Sequence, residues 1–224
     1  MRIGVDEAGK GPVLGSMFVA AVRASPDRLP AGVGDSKGIQ PDRREELAAE
    51  IRRVADVVAV AEVAVARIDD PETDMNGLTV AAHAEALDGV APPDDALDDD
   101  RSQSRFEPFP AHVDAGEIDA HRFERRVSSR VDSVDVRAEH GADATYPIVG
   151  AASVVAKVER DAHVARLAAE FGDVGSGYPS DPTTRKFLRQ YVEANGQLPP
   201  PARESWQTSR DLLAAVDQAS LDEF

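Results

Sequence analysis

Asp6-Glu7-Ala8-Gly9-Lys10-Gly11-Pro12 follows directly on the short apolar run Ile3-Gly4-Val5. An apolar run of this kind reads as a strand with buried faces. It leads into two adjacent carboxylates and a glycine-flanked lysine. Paired acids at a strand end offer oxygen ligands for a hard divalent cation, and glycines beside Lys10 let backbone N–H groups approach a sugar or phosphate closely. Alone, the stretch reads equally well as a solvated strand-to-turn corner, so its partners further along the chain decide the matter.

Working outward, Ser16 to Arg23 reads as a second strand joined to the first by the glycine-rich turn, and residues 57–65 as a third. Pro41 opens a helical pattern over Asp42 to Ala55, and Asn76 to Leu87 carries another. Residues 91–108 combine proline and acid runs without apolar period, and read as a mobile insertion with no chemistry. Ala111-His112-Val113 then leads into Asp114, followed by a helix over Asp119 to Ser128 and a strand over Val131 to Ala138. A long helix is expected from Ile148 to Phe171; its first turns hold Ala151, Ala152 and Ser153, small enough for close packing on a sheet. Helices over Pro182 to Ala194 and Arg203 to Val216 complete the chain, which carries no internal repeat. The sum is an α/β fold with a mixed sheet and a helical C-terminal part. Residues 1–196 read as the main domain, 197–217 as a helical region packed on it and 218–224 as an exposed tail.

At 224 residues and 42% hydrophobic content the chain can build a real core. It has no cysteine, no arginine-rich leader and no apolar run near the eighteen or so residues of a membrane span, so cytoplasmic residence is expected. Charge is the unusual feature: 25 basic residues against 41 acidic ones give −16, the opposite of a typical nucleic-acid binder. Only four of the basic residues are lysine (Lys10, Lys37, Lys157, Lys186), and Asp supplies 25 of the acids. Such a composition resembles proteins of salt-rich cytoplasm. At molar salt the Debye length is about 3 Å, so surface charge neither repels nor steers a polyanion at distance. Acidity therefore does not exclude a nucleic-acid substrate, but its recognition must rest on short-range contacts.

Two further acids stand where a carboxylate can project into a cleft: Asp114 at a strand end, and Asp143 just before the long helix. Four carboxylates gathered at strand ends repel one another and need a cation, which is the electrostatic logic of a magnesium site. With 41 acids in the chain, either aspartate by itself reads as a surface residue.

The surrounding pattern resembles the type 2 ribonucleases H, particularly their archaeal members, over nearly the whole chain. Asp6-Glu7-Ala8-Gly9-Lys10-Gly11-Pro12 is similar to the family's opening motif, Asp35-Ser36-Lys37 to its second, and His112-Val113-Asp114 to the strand end bearing its third acid. Ala142-Asp143-Ala144 with Ala151-Ala152-Ser153-Val154-Val155-Ala156-Lys157-Val158 resembles the fourth acid and its helix. Gly175-Ser176-Gly177-Tyr178-Pro179-Ser180-Asp181-Pro182 resembles the segment of the junction-sensing tyrosine. The resemblance implies a ribonuclease H-like fold and a monomeric endonuclease for RNA/DNA hybrids and for single ribonucleotides embedded in duplex DNA. It would leave 5′-phosphate and 3′-hydroxyl ends and serve ribonucleotide excision and primer removal. Asp6, Glu7, Asp114 and Asp143 would then be catalytic, holding one or two Mg²⁺ or Mn²⁺ ions. Gly9, Lys10 and Gly11 would meet the 2′-hydroxyl, Tyr178 would stack on the sugar after the cut, and Lys37, Lys157 or Lys10 would hold phosphate. The family usually has arginine where this chain has Lys10, which removes the guanidinium fork and leaves recognition to the backbone. Gly-Lys-Gly is similar instead to the type 3 enzymes, which carry an extra N-terminal domain and lack the tyrosine segment; the motif at residue 6 and Tyr178 favour type 2.

Other readings weigh less. The glycine spacing differs from a dinucleotide-binding loop, and a strand follows it in place of a helix. His83, His112, His121, His140 and His163 lack zinc-like spacing and read as ordinary histidines, His140 being a minor candidate for tuning the site. Trp206 reads as an anchor of the C-terminal helices. Gln218, Leu221 and Phe224 resemble a tail motif that docks replication enzymes on a sliding clamp, although the frayed end of an amphipathic helix has the same spacing. A clamp-bound adaptor that binds hybrids without cutting them is the alternative class.

Overall fold

The computed structural model describes residues 1–35, 38–92, 109–132 and 134–221; the expected insertion beyond residue 92, Lys37 and Phe224 lie outside the described residues. Five strands form one mixed sheet in the order β3-β2-β1-β4-β5: β1 (Arg2–Ala8), β2 (Met17–Ala24), β3 (Val57–Val63), β4 (Phe109–Asp114) and β5 (Val134–Glu139). β1 lies at the centre, antiparallel to β2 and parallel to β4, with Val5 opposite Ala21 and Val113. β4 and β5 are parallel and joined through α4 (Ala120–Ser128), as a parallel pair requires a crossover.

The apolar run predicts a strand ending at Val5, but the antiparallel ladder carries pairing on to Ala8 opposite Phe18. Asp6 and Glu7 are therefore residues of the strand itself, and successive strand residues face opposite sides of a sheet. Two helices meet those two sides. α3 (Met75–Val90) brings Thr79 and His83 to the Glu7 side. α6 (Pro147–Phe171) brings Ser153 to the Asp6 side. α6 approaches so closely that a Cβ on Gly4 would lie 2.2 Å from the Ile148 carbonyl oxygen. Ala151, Ala152 and Ser153 are fully buried there, as their small size predicts.

The described residues divide into two compact units. One holds Met1–Ala8, Phe18–Ala61 and Asn76–Val158, with a core that includes Val22, Ile51, Ile148 and Val155 and is contributed by β2, α1 (Pro41–Val54) and α6. The other holds Gly9–Met17, Glu62–Met75 and the chain from Glu159, including the short α2 (Val65–Ile68), α7 (Pro182–Asn195) and α8 (Gln207–Leu221). Its core gathers Val13, Leu14, Leu188 and Val192, with Phe171, Phe187 and Trp206 against them.

Several boundaries differ from the sequence reading. β3 stops at Val63 because Val65 opens α2, and β5 begins at Val134 instead of Val131. The last helix starts at Gln207 and not at Arg203, because Ala202 bridges Leu14 and the Arg203 amide donates to the Val13 carbonyl, committing that backbone to a strand-like contact. α8 continues through Leu221, so the expected tail begins as helix. No helix among the described residues is long and apolar enough to cross a membrane.

Candidate active site

The first unit brings the four predicted acids into one electrostatic group. Asp6 is almost fully buried. Burial, then the Glu7 charge and then that of Asp114 push its carboxyl up to about 8, against the opposing pull of the Ser153 hydroxyl. Asp114, at the end of β4, is raised by burial and by Asp143 and Glu7, although its Oδ1 accepts the Ala142 amide at 2.8 Å. That amide opens α5 (Ala142–Thr145), the short turn that carries the buried Asp143.

Glu7 faces α3. A Cβ on Gly116 would lie 3.3 Å from its Oε1, and His83 Nε2 stands 3.4 Å from its Oε2. His83 is fully buried, edge-on to Phe123, and its Nδ1 donates to the Thr79 carbonyl at 2.8 Å. Among the described residues neither His83 Nε2 nor Glu7 Oε2 makes a hydrogen bond, which leaves a buried carboxylate oxygen without a donor there. Sequence spacing marks His83 as ordinary, and only the packing of α3 shows what it faces. His140, the candidate for tuning, is engaged instead with the Ile118 carbonyl at 3.0 Å. Lys157 Nζ donates to Ser153 Oγ at 2.9 Å and so stands one residue removed from Asp6.

Among the described residues no three acid or imidazole side chains stand close enough to form a finished cage for one ion. The donor chemistry nevertheless fits a hard divalent cation: carboxylate oxygens only, with Glu7 Oε2 making no hydrogen bond among the described residues, and an aspartate that burial and its acidic neighbours push up to about 8.

The second unit holds the glycine loop and the tyrosine. Gly9 and Gly15 take positive φ of 85° and 78°, which the reversal of chain between β1 and β2 requires. Val13 and Leu14 donate their amides to the Gly177 carbonyl, tying the loop to the turn that carries Tyr178. Asp181 organises that turn. Its carboxylate accepts from the Ser176 amide at 2.6 Å, the Ser176 hydroxyl at 2.7 Å and the Thr183 amide at 2.9 Å, which hold it down at about 2. The Tyr178 ring is 43% exposed, and a Cβ on Gly11 would lie 3.8 Å from its Cε1. Beneath the loop lie two side chains that no motif announced, Arg160 and Arg203. Trp206 packs in the core as expected and donates its indole N–H to the Gly11 carbonyl at 3.2 Å.

The family model described as ribonuclease HII matches residues 3–209. The chain belongs to that family. It is 61% identical to the ribonuclease HII of Haloarcula marismortui over 225 residues, covering all of both chains. Among solved structures it is similar to ribonuclease H2 from Pyrococcus horikoshii, with TM-score 0.82, 33% identity and coverage of 96% of this chain and 98% of that one. It is likewise similar to ribonuclease HII from Archaeoglobus fulgidus in its complex with PCNA, with TM-score 0.80, 38% identity and complete coverage of both. Members of the ribonuclease HII family are endonucleases of RNA/DNA hybrids, and this chain is a ribonuclease H hydrolase of that kind. The halophilic relative agrees with the acid-rich composition.

Proposed function

We propose that this ribonuclease H cuts the RNA strand of hybrids and also cuts 5′ of single ribonucleotides in duplex DNA, leaving 5′-phosphate and 3′-hydroxyl ends. The observation that carries the reading is the group of four acids, Asp6 and Asp143 buried and Glu7 and Asp114 half-buried, with Asp6 pushed up to about 8, an arrangement that is unfavourable until a cation joins it.

Asp6, Glu7, Asp114 and Asp143 would hold one or two Mg²⁺ or Mn²⁺ ions. The chemistry supplied by a bound divalent cation is a lowered pKa for water and stabilised charge on the departing oxygen. The chain's own residues prepare it. Ser153, backed by Lys157, donates to Asp6 and fixes its orientation, while the Ala142 amide does the same for Asp114. Asp6 gives up the proton that burial otherwise keeps on it. Backbone N–H groups of Gly9, Lys10 and Gly11 meet the 2′-hydroxyl, the group that separates RNA from DNA. Tyr178 stacks on the next sugar and favours deoxyribose, and Lys37 and Lys157 hold phosphate. Residues 1–196 serve as the catalytic domain of a cytoplasmic monomer, with 197–217 as its helical support.

The deciding experiment is cleavage of a duplex carrying one ribonucleotide, beside an all-DNA control, with Mg²⁺, Mn²⁺ or EDTA and at low and molar KCl. Metal-dependent cutting 5′ to the ribonucleotide is expected. Cutting confined to continuous hybrids would remove the junction role of Tyr178, and binding without cutting by folded protein would favour the adaptor.

The tail of the chain, through Gln218, Leu221 and Phe224, docks on a sliding clamp in this reading, supported by the clamp complex of the Archaeoglobus relative. Deleting residues 221–224 is expected to abolish clamp pull-down and to leave cleavage intact; equal capture of the truncated chain would sink the assignment.

A further inference from the structure

Arg203 is fully buried, and its guanidinium donates to three carbonyls of one loop: Nη2 to Gly9 at 2.6 Å, Nη1 to Lys10 at 2.8 Å and Nε to Gly15 at 2.9 Å. Arg160, 5% exposed, donates Nη2 to the Leu14 carbonyl at 2.8 Å. The Arg203 amide takes the Val13 carbonyl and Trp206 takes that of Gly11. Pro12 aside, every carbonyl from Gly9 to Gly15 is thus turned onto a donor of the second unit. The Gly11 amide, by contrast, has no acceptor among the described residues. A loop whose carbonyls are all drawn one way offers its free N–H group to an acceptor from outside.

Neither guanidinium has a carboxylate within ion-pair distance among the described residues. Burial lowers both pKa values, that of Arg203 to about 10 with repulsion from Arg160 as the next cause, against the opposing pull of Asp161 on Arg160 and of Asp69 on Arg203. Arg160 Nε and Nη1 are buried with no hydrogen-bond partner among the described residues. Its path is shaped by three glycines of positive φ: a Cβ on Gly9, Gly15 or Gly177 would lie 2.9, 3.0 or 2.5 Å from its Cδ, Nη1 or Nη2. Capping carbonyls needs only neutral donors, and burying two like charges, eased by Asp69 and Asp161 from beyond ion-pair distance, is costly. The charges make sense where a polyanion completes the site. Because they are buried, they escape the screening that erases surface attraction at molar salt.

We infer that Arg160 and Arg203 are positioning residues that present the Gly9–Gly15 loop to a ribonucleotide and lend it a positive charge that salt does not screen. This rests on the reading above that the loop meets the 2′-hydroxyl. The test is initial-rate kinetics with Mg²⁺ on a duplex carrying one ribonucleotide, with the matched all-DNA duplex as competitive inhibitor. Arg203→Lys keeps the charge and loses the fork. It is expected to raise KM about tenfold, the scale of a lost charge-assisted hydrogen bond, with little change in kcat or in the inhibition constant of all-DNA. Arg160→Met is expected to raise KM by the same factor at 0.1 M and at 2 M KCl.

A purely structural role would lower kcat through lost active enzyme and leave KM alone, and that result would overturn the inference. So would a loss in Arg160→Met that vanishes at 2 M KCl. Wild-type protein that neither cuts nor discriminates the two duplexes would defeat the functional reading itself. Should either variant lack a cooperative melt, amide exchange in the wild type decides. Protection of Gly11 by the ribonucleotide duplex and not by all-DNA is expected, and equal exchange with both would overturn the proposal.

Discussion

The two units bury charge of opposite sign. In the first, Asp6, Glu7, Asp114 and Asp143 gather negative charge, Asp6 and Asp143 buried and the buried His83 ring standing beside Glu7. In the second, Arg160 and Arg203 are buried with no carboxylate within ion-pair distance among the described residues, while Asp181 is satisfied by amides and hydroxyls. Like charges gathered in an interior repel, so the group gains from a ligand of the opposite charge. In the proposed reading that ligand is a divalent cation in one unit and a polyanion in the other. For a metal-dependent nuclease those are its two ligands, and the fold bears the cost of both before either arrives.

The sharpest break in this comparison is Asp143→Asn. It is expected to lower cleavage by roughly 10³-fold or more at saturating Mg²⁺ while the melting temperature stays within a few degrees. Wild-type turnover in that variant would remove Asp143 from the metal ligands. A second large effect is one of stability. The Asp6 carboxyl has a folded pKa of about 8 against 3.8 unfolded, so the folded chain binds more protons between those values and stability falls as pH rises through that window. Asp6→Asn removes the penalty. The metal-free variant should melt higher than wild type at pH 8, by up to several kcal/mol, with the gap closing toward pH 4, and should be inactive throughout. A variant that melts lower at pH 8 would mean that the acids are compensated in some other way.

How much of this was legible beforehand divides along the same line. The acids could be read because each stands at a punctuated place: Asp6 and Glu7 before a glycine turn, Asp114 after an apolar strand, Asp143 before a long helix of small residues. Their electrostatic grouping comes from the last residues of β1, the end of β4 and the short turn of α5, and only the second of these is the strand end that the sequence pattern marks. Arg160 and Arg203 could not be read, because α6 has no period that singles out Arg160 and Arg203 follows a run of prolines. What makes them matter is a reversal of chain that brings residues 9–15 against residues 160 and 203, a non-local pairing. The glycines were visible in the sequence, but not what they leave room for. His83 was hidden for a related reason, since only the packing of α3 against β1 sets it opposite Glu7.

Gly177→Ala tests the second unit at intermediate scale. The residue has φ of 83°, and its Cβ would lie 2.5 Å from Arg160 Nη2. A loss of about 1–3 kcal/mol is expected from backbone strain, together with a raised KM as Arg160 is displaced. If denaturant melts superimpose on wild type, Arg160 moves freely there and the glycine-lined path is not a constraint.

The smallest effect concerns the one carboxylate of the second unit that has its partners. Asp181 is held at about 2 by the Ser176 amide, the Ser176 hydroxyl and the Thr183 amide, against 3.8 in the unfolded chain. A depressed carboxyl contributes stability that is fully present above about pH 4 and is lost as pH falls through 2. Asp181→Asn should therefore melt slightly below wild type at pH 6, and the difference should narrow as pH drops from 4 to 3, because wild type alone loses the contribution. Its direction is opposite to that of Asp6, where the substitution helps most at high pH. A difference constant from pH 6 to pH 3 would mean that the turn around Tyr178 is held by packing and not by the charge on Asp181. The contrast would then rest on Asp6 and the two arginines alone.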